Sequence, residues 1–77
     1  MKRFTVVYCA AFYPDYDSVV EKSVGKTRDG SGMYFSSNER DLEFSFRDAE
    51  KAKTAFRKAK RLSHVISVEW AEPDQER

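Results

Sequence analysis

Cysteine is nearly absent from this sequence. Cys9 stands alone, so no internal disulfide can form and no cysteine-based metal framework can be built. That usage fits a reducing, cytoplasmic setting. Histidine is equally scarce, with His64 the single imidazole. Long apolar runs are missing too. No segment approaches the ~20 residues that a membrane helix needs, so no membrane association is expected. The opening Met-Lys-Arg-Phe-Thr-Val-Val-Tyr-Cys-Ala-Ala-Phe has two basic residues before an apolar run, as a signal peptide does. The run is short, is interrupted by Thr5 and leads into Pro14-Asp15-Tyr16-Asp17, so it is read as a first β-strand. A charge of one sign is also lacking. With 14 basic and 13 acidic residues the net charge is +1, which neither favours nor excludes a polyanionic partner.

Aromatic residues are what the chain has in quantity: six Phe, four Tyr and one Trp in 77 residues. A chain of this length makes one domain and buries only about 60% of the surface that its unfolded form exposes. Large rings, each burying roughly 150–250 Å², make a core feasible without staples. Residues 1–71 are read as a single α+β domain and residues 72–77 as a polar, frayed tail.

Residues 3–11 are β-branched and aromatic with both faces apolar, which predicts a central strand. From Pro14 to Val24, Tyr16, Val19, Val20, Ser23 and Val24 recur at helical spacing, with Pro14 and Asp15 as a start and Gly25 as a stop. Asp15 and Asp17 are taken as capping residues. The valines leave a strand through 18–27 as the competing reading. Gly30 and Gly32 put a loop over 28–32. Met33–Ser37 reads as a short strand, and Ser37–Asp41 as a polar turn. Leu42, Phe44 and Phe46 alternate with Glu43 and Ser45, giving the cleanest two-residue period in the chain. Asp48 suits a helix N-cap, and Ala49, Ala52, Ala55, Phe56, Ala59 and Leu62 form the apolar stripe that follows. A last strand runs from His64 to Trp70, with Ile66, Val68 and Trp70 facing the core.

The order β-α-β-β-α-β predicts a ferredoxin-like sandwich: a four-stranded antiparallel sheet with two helices on one face. If 15–24 is a strand, the alternative is a four- or five-stranded meander holding one helix. In the sandwich the open sheet face carries Thr5, Val7, Cys9, Tyr34, Glu43, Ser45, Val65 and Ser67, half apolar and weakly charged.

Few residues suggest chemistry. Antiparallel first and last strands bring Cys9 near His64, and a thiolate–imidazole pair is a catalytic device. Strand parity separates them, because Cys9 points away from the side that Phe4, Val6 and Tyr8 share. Asp15, Asp17, Asp29, Glu39, Asp41 and Glu43 lack metal-loop spacing, and Gly25, Gly30 and Gly32 match no phosphate-binding fingerprint. No catalytic residue, metal or cofactor is expected. The RNA-recognition signature is absent, and Glu43 would repel phosphate.

Two surfaces remain. Phe12, Tyr13 and Tyr16 beside acids, with Tyr34, are candidate protein-contact anchors. Lys51, Lys53, Arg57, Lys58, Lys60 and Arg61 line the second helix, and the stretch 47–61 carries net +5. Such a face attracts phosphates without sequence readout. The favoured expectation is a non-catalytic protein-binding module of the inhibitor or adaptor type, similar in size to phage-encoded proteins that block host functions. A nucleic-acid-binding accessory protein using the basic helix is the second expectation. A small-molecule regulatory domain, homodimeric through the open sheet face, is the third.

Overall fold

The computed structural model describes residues 1–71; the expected frayed tail at 72–77 lies outside the described residues. The chain runs β1 (Lys2–Cys9), a 3-10 turn (Ala10–Phe12), α1 (Asp15–Val24), β2 (Gly30–Tyr34), β3 (Glu39–Phe46), α2 (Ala49–Lys60) and β4 (Val65–Trp70). The sheet order is β2-β3-β1-β4, with every neighbouring pair antiparallel. The strand with two apolar faces, β1, therefore lies inside the sheet, as its sequence predicts. No described helix is long and apolar enough to cross a membrane.

One core forms on the helix-covered side. Phe4, Val6 and Tyr8 of β1, Leu42 and Phe44 of β3, and Val68 of β4 meet Tyr16, Val20 and Val24 of α1 and Ala55 and Ala59 of α2. Alanine on the inner stripe of α2 lets that helix sit close, leaving room for the rings beneath it. Phe4 is the hub: Phe44, Phe46, Phe56 and Trp70 all have ring centroids within 5.9 Å of its own. The helix ends follow the sequence. Asp48 accepts from the Glu50 and Lys51 amides, and Gly25 closes α1 at φ +94°, a conformation natural to glycine.

Four expectations need correction. The glycines at 30 and 32 belong to β2, and the connection to β3 is residues 35–38, with Asn38 at φ +56°. The polar turn at 37–41 gives way at its end to β3, which starts at Glu39. In β4, Tyr8 pairs with Val65 while Val7 pairs with Ser67, so Ile66 is the extra residue of a bulge. Ile66 is consequently 55% exposed, and Val65 packs against the core in its place. Asp17 is not a cap: Pro14 occupies the N-cap of α1 without a side-chain bond, and Asp17 is buried.

The open face also differs from expectation. Register places Thr5, Val7 and Cys9 opposite Glu43, Asp41 and Glu39, and Thr5 opposite Glu69 on the other side. Among the described residues, four carboxylates thus share a face whose strands carry one cation, Arg3, which donates to Ser45 Oγ at 3.1 Å.

Candidate functional site

The buried polar centre of the molecule lies between α1 and the sheet. Arg40 forks onto Asp17, with Nη2 to Oδ2 at 2.8 Å and Nε to Oδ1 at 3.2 Å. The Tyr8 hydroxyl donates to Asp17 Oδ1. Arg28 Nη1 stands 3.5 Å from the other carboxylate oxygen and 2.9 Å from Glu21. Burial alone would push the Asp17 carboxyl up. The Arg40 fork, the Tyr8 hydroxyl and the Arg28 charge outweigh it and hold the group below the usual carboxylate range. Tyr8 is pushed well above its ordinary value by burial and by its bond to the carboxylate. Arg40 is held in its charged form chiefly by the bonds to Asp17. Every ionic member of this cluster is partnered within it, so it works as a brace between α1 and β3.

The brace supports a surface feature above it. The Arg40 guanidinium lies 4.6 Å from the centre of the Tyr13 ring, fixing that ring over the strand end. Tyr13, Met33, Tyr34, Phe35, Asn38 and Arg40 line most of a cleft of about 400 Å³ between the 3-10 turn and the β2–β3 connection. The rim is aromatic and open: Tyr13 is 45% exposed, Tyr34 53% and Phe35 88%. On the neighbouring slope Phe12, 41% exposed, stacks on the His64 ring at 3.7 Å.

Of the residues anticipated as protein contacts, Tyr13 and Tyr34 meet in the cleft and Phe12 flanks it. Tyr16 is buried; its ring meets His64 edge-on and its hydroxyl accepts from the His64 amide at 3.3 Å. Phe35, Met33 and Arg40 complete the cleft and escaped the sequence reading. Arg40 had a signal, because it shares strand parity with Leu42, Phe44 and Phe46. The six basic residues of the alternative surface, Lys51, Lys53, Arg57, Lys58, Lys60 and Arg61, are all exposed on α2 and its end. Cys9 and His64 meet through their backbones only, the Cys9 amide donating to the His64 carbonyl at 3.4 Å. The Cys9 sulfur accepts from Asn38 at 3.9 Å, while the imidazole stacks on Phe12. No cluster of potential metal ligands occurs among the described residues.

No protein-family model, curated protein or solved structure matches the chain.

Proposed function

We propose that this protein is a small, cytoplasmic, non-catalytic module that binds another protein, as an inhibitor or adaptor, through the aromatic cleft. The observation that carries this reading is the set of exposed rings of Tyr13, Tyr34 and Phe35 around one concavity, with the exposed Phe12 beside it. Rigid rings held at low entropy cost are the side chains that dominate protein contacts, and large ones left in water suit a surface awaiting cover. The split of Cys9 and His64 between different surroundings supports the non-catalytic part. The element order and the β2-β3-β1-β4 antiparallel sheet support a ferredoxin-like fold, which by itself assigns no activity. The test is capture from host extract by the wild-type chain alongside a Tyr34→Ala/Phe35→Ala variant. A stoichiometric partner that the variant loses is the expected result. A partner retained equally by the variant removes the cleft from the interface.

The exposed basic face of α2 favours a second reading, contact with nucleic acid. It requires affinity for an oligonucleotide that falls steeply with salt. The acidic open sheet face weighs against the third expectation, since stacking two copies there would set carboxylates against carboxylates.

A further inference from the structure

The two edges of the sheet are built differently. The bulge at Ile66 bends β4, a device that discourages strand addition. In contrast β2 reads Gly30-Ser31-Gly32-Met33-Tyr34, without proline, charge or bulge. Alternate residues of an edge strand aim their amides and carbonyls away from the sheet. Among the described residues, the hydrogen bonds that reach the backbone of β2 come from β3 strand pairing and from Arg40 Nη1, which donates to the Gly32 carbonyl at 3.4 Å.

The two sides of this edge present different chemistry. On the helix side lie Met33 and the Tyr13 side of the cleft, while Tyr34, in parity with Gly30 and Gly32, sits at the open side with its hydroxyl donating to Asp41 Oδ2 at 3.4 Å. On the open side Gly30 and Gly32 sit opposite Glu43 and Asp41, whose carboxylates fold over the glycine backbone. A Cβ at Gly32 would lie 2.6 Å from Asp41 Oδ1, and one at Gly30 3.1 Å from Glu43 Oε1. Asp41 Oδ1 is shielded from solvent and has no hydrogen-bond partner among the described residues. Because the acids occupy the space above β2, a residue on the next strand out stands only about one strand spacing, ~4.8 Å, from them.

We propose that the β2 edge receives an extended strand from a partner protein, with lysine or arginine alternating with apolar residues. The partner's backbone pairs with β2, its apolar side chains enter the cleft, and its basic side chains cross the glycines to Asp41 and Glu43. This rests on the protein-binding reading and names the chemistry of the partner. Charge selects that occupant over a second copy. Pairing two β2 strands would bring two acidic rows onto one side of a continuous sheet, with only the glycines and Tyr34 between them.

The probe is a short labelled peptide alternating lysine or arginine with valine, leucine or tyrosine. It is titrated at low salt into isotope-labelled wild-type protein and followed by amide resonances and fluorescence anisotropy. Saturable shifts centred on Gly30–Tyr34 are expected. Methylating alternate peptide nitrogens, which removes donors without changing charge, should weaken binding roughly tenfold or more. Replacing the basic residues by glutamate should do the same, as should an Asp41→Asn/Glu43→Gln variant. The methylated and acidic peptides need no altered protein, so they decide the matter even if that variant fails to fold. Equal binding by methylated or acidic peptides overturns the proposal. So do absence of binding, shifts confined to α2, and self-association of the free protein through β2. If Tyr34→Ala/Phe35→Ala loses a captured partner while methylation has no effect, the cleft binds protein and strand addition is wrong.

Discussion

At the scale of single residues, the Tyr8–Asp17–Arg40 cluster is the part most sensitive to change. Two opposite charges are removed from water there, and each is tolerable only while the other remains. Truncating Arg40 to methionine should therefore lower stability by about 3 kcal/mol, because the half-exposed Arg28, 3.5 Å from Asp17, is then its remaining counter-charge. The double variant Asp17→Leu/Arg40→Met should lose clearly less than the two single changes together, because neither stranded charge remains. Urea midpoints for the three variants and the wild type measure this. The same cluster sets a pH dependence. Asp17 titrates lower in the folded chain than its ordinary 3.8, as does Asp29, which is held by Lys26 and the Ser45 amide. A lowered folded value gives stability that is full above the ordinary carboxylate range and lost as pH falls through the folded values. Unfolding midpoints should be level from neutral pH down to about 5 and then decline, and Asp17→Asn should flatten part of that decline. Tyr8 acts at the other end. Its raised value gives stability present below pH 10 and lost as pH climbs beyond it, so Tyr8→Phe should remove that alkaline component.

Secondary-structure elements show which information is local. Both helices were legible because their signals lie within a few residues: Gly25 to stop α1, Asp48 and an alanine stripe to start and orient α2. The inner position of β1 and the parity of β3 were legible from side-chain alternation. β2 was not, because glycine marks a loop when viewed alone. Its extended form depends on Asp41 and Glu43, more than eight residues further on, which fill the space a side chain would need. The bulge in β4 was hidden for the same reason: Ile66 continues an apolar alternation, and only pairing with β1 shows that the count slips. The site divides likewise. Tyr13 and Tyr34 stood out as aromatic residues near turns, whereas Arg40 reads as a turn residue until Asp17, distant in sequence, is placed beside it. These contacts give β2 a testable asymmetry. Glu43 is long enough to swing clear of a methyl at position 30, so Gly30→Ala should be neutral or slightly stabilising. Asp41 is short and its oxygen is enclosed, so Gly32→Ala should force it off its rotamer and be the less stable variant by about 1 kcal/mol. Thermal or urea unfolding of the pair gives the order directly.

For the whole molecule, a net charge of +1 conceals a division between faces. The open sheet side gathers Glu39, Asp41, Glu43 and Glu69, while the exposed surface of α2 and its ends gathers the basic residues of 47–61. The core lies between these layers, so the two surfaces face away from each other and respond to partners of opposite sign. A polyanion and a basic strand should accordingly bind without competing, each weakened by salt through its own set of charges. Reversing charge in Lys53→Glu/Lys58→Glu should abolish low-salt binding of a labelled single-stranded oligonucleotide and, at physiological salt, leave binding of the basic peptide within about twofold, since exposed charges farther apart than a Debye length of ~8 Å are largely screened there. Anisotropy titrations of both ligands against both proteins make the comparison. If the wild-type chain ignores the oligonucleotide even at low salt, the lysines of α2 serve as a wetted outer layer over a closely packed alanine stripe. The acidic face then becomes the charged surface that selects a partner.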